Sequence, residues 1–336
     1  MSKLRVNFAC WEYDRTEALR SGRIEPEGID LNYITLPVQE TFFRMLRYHE
    51  FDASEMSFAS YVLSLEGEVE KSPLIAIPVF PSRLFRHSAI YVNVKSGIND
   101  PKDLIGKKVG TPEWQLTANV WVRGILADHY GVPLSSVIYY TGGEDAPGRK
   151  EKIPIPNLPD EVVLKEIGPK QTLSRMLDDG EIDALYTPRT PFCFASGSKN
   201  VRRLFPDFRL AEEKFYLNTG IFPIMHTVVL QRDLYDKNPW VARSLYKAFV
   251  QAQQVAYQNI LESPKAGALK IMIPWLQSYA EEIVKLMGKD YWPYGIDPNQ
   301  KVLDTFLRYC QEQGLSKNRL KPEELFAPET HEAYII

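Results

Sequence analysis

Cysteine is scarce in this chain: Cys10, Cys193 and Cys310 are the only thiols in 336 residues, far apart and without a CxxC pair. An odd count at such spacing argues against a disulfide framework. Histidine is scarce too, with five residues and no HxxxH, HxH or Cys/His cluster, so no dedicated metal site is signalled. GxSxG, Walker A and GxGxxG loops are all missing. Nucleotide, nicotinamide, flavin or pyridoxal phosphate chemistry therefore lacks support, and no cofactor or obligatory metal is expected. Charge of one sign is not in excess: 40 Lys+Arg against 43 Asp+Glu leaves −3, a poor balance for a nucleic-acid binder. No apolar run approaches the roughly 18 residues of a membrane helix. The opening MSKLRVNFACWEYDR lacks the apolar stretch of a secretory signal. A soluble, cytoplasmic protein touching neither nucleic acid nor membrane is expected, as is a homo-oligomer.

What is present fits a globular enzyme or binding protein. Hydrophobic residues make up 44% and charged residues 25%, and the length allows two domains of ~150 residues. Aromatics at 12% suit a lined small-molecule cleft and equally a packed core. RVNFACW, LNYITL, FDASEMS, LIAIPVF and AIYVN read as strands, alternating with helices TEALRSGRI, QETFFRMLRYHE and SFASYVLSLEGE. A second α/β unit starts near residue 96. It has strands KKVG, VIYYT, VVLKEI and DALYT, helices TPEWQLTANVWVRGILADHY and QTLSRMLDDG, and Gly180 as a stop signal. HTVVLQRDL is a further strand, and NPWVARSLYKAFVQAQQVAYQNI opens a helical C-terminal third. Such alternation predicts largely parallel sheets flanked by helices. The economical topology inserts one lobe, 94–224, into another formed by 1–93 and 225–336. HSAIYVN and MHTVVLQ are then the crossing segments. The Gly- and Pro-rich stretch 141–160 is too long for a simple connection. It reads as an excursion near the cleft or an oligomer contact.

Ligands of open α/β sheets bind beyond the carboxyl ends of strands, which selects Trp11–Asp14, Ser54–Ser57, Thr111–Gln115 and Tyr186–Arg189. Thr111-Pro112 reads as a helix start, with a hydroxyl N-cap and Pro at the first position. Glu113 beside it is either an acid–base group or a complement to the helix dipole. Arg83, Arg86 and His87 lie within five residues. Arginines there suit carboxylate capture, against the plainer reading of a solvated basic turn. His87 and His226 lead similar strand segments, which favours a cleft role for at least one of them.

RHSAIYVNVKSGINDPKDLIGKKVGTPEWQLTANVWVRGILADHYGV, GRKEKIPI and DALYTPRTPF together resemble the 4,5-dihydroxyphthalate decarboxylase family, over nearly the whole chain and most specifically over 83–133. The resemblance implies a two-lobed fold of the type II periplasmic-binding-protein kind. It also implies cofactor-independent decarboxylation of a hydroxylated aromatic dicarboxylic acid, 4,5-dihydroxyphthalate giving protocatechuate and CO2. Such chemistry needs a proton donor at the ipso carbon, an acceptor at the phenol and cations for carboxylate. On this reading His87 or Glu113 donates to the ipso carbon, and His226 accepts from the phenol or orients its acceptor. Arg83, Arg86 and Arg189 bind carboxylates, Trp11, Trp114 and Trp121 line the cleft, and Ser57, Gln115 and Thr117 add polar contacts. The rivals are a solute-binding protein for an aromatic or other organic anion, and another enzyme on the same scaffold.

Overall fold

The computed structural model describes residues 2–66 and 72–331. The last two positions of the helix expected over 57–68, and the tail from 332, lie outside the described residues. The strands are β1 (Leu4–Cys10), β2 (Ile29–Thr35), β3 (Ala53–Ser57), β4 (Leu74–Arg83), β5 (Ile90–Asn93), β6 (Lys108–Thr111), β7 (Ile138–Thr141), β8 (Val163–Glu166), β9 (Ala184–Tyr186), β10 (Val201–Arg203) and β11 (Ile224–Gln231). The helices are α1 (Asp14–Arg20), α2 (Val38–Tyr48), α3 (Phe58–Ser64), α4 (Thr117–Tyr130), α5 (Leu173–Asp179), α6 (Phe192–Ala195), α7 (Phe208–Thr219), α8 (Arg232–Lys237), α9 (Trp240–Tyr257), α10 (Leu276–Met287), α11 (Gln300–Glu312) and α12 (Pro322–Leu325).

Two sheets result. One has the order β2-β1-β3-β11-β4 and the other β10-β5-β9-β6-β7-β8. Connections through helices make β1, β2 and β3 parallel to one another; β9, β6, β7 and β8 are parallel too, although no helix lies between β7 and β8. The strands at the crossings run the other way: β11 is antiparallel to β3 and β4, and β5 to β9 and β10. The chain leaves the first sheet after Arg83 and returns at Ile224. The lobe boundary expected at 93 therefore moves back, to the segment between Arg83 and Ile90, because Ile90–Asn93 already pairs in the second sheet.

A second correction concerns Thr111-Pro112. Helix α4 starts at Thr117, not at the Thr-Pro signal. Thr111 is instead the last residue of β6, and its hydroxyl donates to the Glu113 carbonyl and accepts from Asn119 Nδ2. Residues 112–116 are thereby released as a loop. The stop at Gly180 is as expected, with the glycine at φ +78°, where an L side chain would be strained. One continuous core holds Val6, Phe8 and Met56 from the first sheet together with Val109, Trp121 of α4 and Phe306 of α11. Among the described residues, no helix is long and apolar enough to cross a membrane.

Candidate active site

Because β11 runs antiparallel to β3, its start lies beside the carboxyl end of that strand, and His226 pairs with Ser57. Glu55 is two residues before Ser57 and so shares its face. The diagonal from Glu55 to His226 is short enough for long side chains to meet. His226 Nδ1 is 2.6 Å from Glu55 Oε1. The Glu55 carboxylate also accepts from the Tyr13 hydroxyl at 2.6 Å and from the Trp11 amide at 3.2 Å. Glu55 is fully buried. Burial alone would raise its pKa, but His226, Tyr13 and the Trp11 amide outweigh it and hold the carboxyl below its ordinary range. An ionised carboxylate only accepts, so His226 donates through Nδ1 and keeps Nε2 for another partner. Nε2 makes no hydrogen bond among the described residues.

His226 lines a cavity of about 370 Å³ formed by both sheets. Trp11, Phe42, Ser57 and Met225 come from the first sheet and its helices; Leu116, Thr117, Ala118, Pro188 and Arg189 come from the second. Ser57 and Thr117 join across the seam, with their hydroxyls 3.0 Å apart. Four cations line the cavity: Arg86, Arg149, Lys152 and Arg189. Arg86 is buried. Its Nε meets Met225 Sδ at 3.1 Å, and its terminal nitrogens have no hydrogen bond among the described residues. Burial lowers its pKa to about 10. A charge held dry without a bonded carboxylate is costly unless a ligand supplies one. Arg189 is half-exposed, with its Nε 4.0 Å from Glu144. Glu144 accepts from Thr187 Oγ1 at 2.8 Å, and burial raises its pKa.

Of the twelve residues selected by sequence, the cavity brings together Trp11, Ser57, Arg86, Thr117, Arg189 and His226. The other six do not line it. His87 is boxed by Tyr130, Phe205 and Phe215, and neither ring nitrogen finds a partner. Burial, with His129 adding, lowers its pKa to about 4. The reason is local: His87 opens a turn before β5 instead of leading a cleft strand. Arg83 points the other way from Arg86. It donates to the carbonyls of Phe222 and Pro293 at 3.1 and 2.7 Å and to Asn299 Oδ1, a structural knot. Trp114 and Trp121 are core residues whose indole nitrogens donate to the Gln313 and Ile224 carbonyls. Gln115 is buried against the loop at 151–153. Glu113 lies behind the cavity wall, its carboxylate held by Arg149 and Lys152.

Sequence reasoning selected the segment Ser54–Ser57 without giving Glu55 a role, and it did not select Arg149 or Lys152. Period-2 spacing from Ser57 signals Glu55. The two cations come from the 141–160 excursion, whose partners are distant in sequence. Among the described residues, no group of three or more His, Cys, Asp or Glu is placed to hold a metal ion.

The fold and site define a class: a two-lobed α/β protein of the periplasmic-binding-protein kind, with a cationic interlobe cavity that carries a carboxylate–histidine pair. The periplasmic aliphatic sulphonate binding protein of Escherichia coli has the same fold at TM-score 0.53 and 13% identity, covering 98% of this chain and 99% of that one. So does a mutant of the desulfurization enzyme DSZB in complex with biphenyl-2-sulfinic acid, at TM-score 0.52 and 14% identity, covering 98% and 97%. No family model matches the chain. Two curated relatives do. A 4,5-dihydroxyphthalate decarboxylase of Comamonas testosteroni is 41% identical over 336 residues, the full length of both chains. One of Pseudomonas putida is 41% identical over 216 residues, covering 64% of this chain and 83% of that one. The chain belongs to the 4,5-dihydroxyphthalate decarboxylase family and is a carboxy-lyase.

Proposed function

We propose that this protein converts 4,5-dihydroxyphthalate to protocatechuate and CO2, with His226 exchanging the phenol proton. The observation that carries the reading is the His226–Glu55 contact of 2.6 Å in a cavity lined by four cations. The substrate has two adjacent carboxylates, and each has a ring hydroxyl para to it. Arg86, Arg149, Lys152 and Arg189 hold the carboxylates; guanidinium groups suit this task. His226 Nε2 accepts the proton of one hydroxyl, and the Glu55 carboxylate stabilises the imidazolium that forms. The oxygen's electron pair moves into the ring, and the para carbon takes up a proton. That proton comes from solvent, which reaches the cavity-lining residues Trp11 and Arg189. The C–C bond to the carboxylate then breaks, and its electron pair returns to the ring as CO2 departs. Return of the proton from His226 restores the phenol. One proton is consumed, and hydrogen replaces one carboxylate.

The experiment is direct: incubate the purified protein with 4,5-dihydroxyphthalate and follow protocatechuate and CO2 together. Equimolar formation of both is expected. Substrate that binds but is recovered intact would overturn the reading.

A further inference from the structure

Between β7 and β8 the chain has no helix or strand of its own, yet it places two cations in the cavity wall. The residues released ahead of α4 hold it there. Glu113, almost wholly buried, takes Arg149 on Oε1, with Nε at 2.6 Å and Nη2 at 2.5 Å, and Lys152 Nζ on Oε2 at 2.5 Å. On either side, the Trp114 amide and Gln115 Nε2 donate to the Glu151 carboxylate, and Gln115 Nε2 also donates to the Ile153 carbonyl at 3.0 Å. This grip is itself fixed to the core. The Trp114 indole donates to the Gln313 carbonyl at 2.8 Å, and Ser60 of α3 donates to Gln115 Oε1 at 3.2 Å.

We infer that Glu113 is a positioning residue: it aims Arg149 and Lys152 as a pair at the second carboxylate of a vicinal aromatic dicarboxylate. The pair thereby separates the dicarboxylate from the monocarboxylate that remains after CO2 leaves. The inference rests on the cavity being the substrate site proposed above. Its physical content lies in a sign. Glu113 is an anion beside an anion-binding cavity, so by charge alone it weakens the ligand. Removing that charge while the cations stayed in place would tighten anion binding. If Glu113 aims the cations, the same removal weakens binding, because two charge-assisted contacts lose their geometry.

The test is calorimetric titration of the full chain with phthalate, which has two carboxylates and no hydroxyl, and with benzoate, which has one. Neither readout needs turnover, so it stands apart from any failure to release CO2 from 4,5-dihydroxyphthalate. The native protein should prefer phthalate. In Glu113→Gln, phthalate should weaken by about 10- to 100-fold, the worth of a charge-assisted contact or two, while benzoate changes far less. In an Arg149→Ala, Lys152→Ala background, phthalate should already be weak, and adding Glu113→Gln should change it little, since the residue acts through that pair. Tighter or unchanged phthalate binding in Glu113→Gln would overturn the inference. Equal losses for phthalate and benzoate would do the same. If Glu113→Gln does not fold, the Arg149→Ala, Lys152→Ala protein decides: retained preference for phthalate over benzoate sinks the inference.

Discussion

His226 and His87 are the same residue type in two opposite environments, and the difference sets what each can do. His226 has an ionised carboxylate at 2.6 Å on one nitrogen and the cavity beside it. Its replacement by Ala should cut kcat by about 10²–10⁴-fold, the usual scale of proton-transfer catalysis. Phthalate affinity should move much less, because the cations remain. Near-native turnover in His226→Ala would remove it from the mechanism. His87 has aromatic walls and no partner for either nitrogen. Its pKa falls from 6.5 to about 4 on folding, so the folded state keeps it neutral while the unfolded chain takes up a proton. That contribution to stability is complete above pH 6.5 and lost as pH falls towards 4, by about 3 kcal/mol in all. His87→Phe should flatten this part of the acid limb of denaturant-measured stability; an unchanged slope would refute the assignment. Sequence marked both histidines by their place before a strand. It could not distinguish them, because the deciding neighbours, Glu55 and Phe205, are far along the chain.

At the scale of elements, what was legible is what local periodicity encodes. The strands of both sheets except the three-residue edge strand β10, and the stop of α5 at Gly180, follow from alternation and backbone preference. The start of α4 does not. Thr111-Pro112 carries a good helix-start signal, yet tertiary bonding from residues 113–115 to the excursion at 149–153 outweighs it. Non-local bonds also hid Arg149 and Lys152. Within α4, Gly124 is exceptional: a Cβ there would lie 2.3 Å from the Tyr309 ring of α11. Tyr309 cannot easily yield, since its hydroxyl is bonded to Asp128 at 2.7 Å and its ring packs edge-on against Trp121. Gly→Ala in a helix normally gains up to about 1 kcal/mol, but overpacking costs about 1–3 kcal/mol. Gly124→Ala should therefore lower Tm in a thermal melt, against the propensity trend. A raised Tm would mean that α11 shifts away freely.

Across the whole molecule, α4 decides whether the two sheets behave as separate units. It belongs by sequence to the second, yet its Trp121 indole donates to Ile224 of β11 at 2.9 Å, and Thr117 bonds Ser57 of β3. Arg123 is buried over Trp114, with its Nε bonded to Gln313 just beyond α11. Relative motion of lobes is expected when their interface is small and polar; here the buried part of α4, Thr117–Leu126, packs the seam. The molecule should unfold in one calorimetric transition in which both sheets melt together. Trp121→Ala should lower that transition by the equivalent of about 3–5 kcal/mol without splitting it. Saturating phthalate, which touches groups from both sheets in the proposed site, should raise the same single transition by mass action. Two resolved steps in the native protein, only one of them moved by phthalate, would show that the seam is weaker than its packing implies. The cavity would then be formed by closure and not held open by α4. The single-transition outcome instead makes His226 and the cations parts of one pre-formed frame, so that binding requires little reorganisation of the lobes.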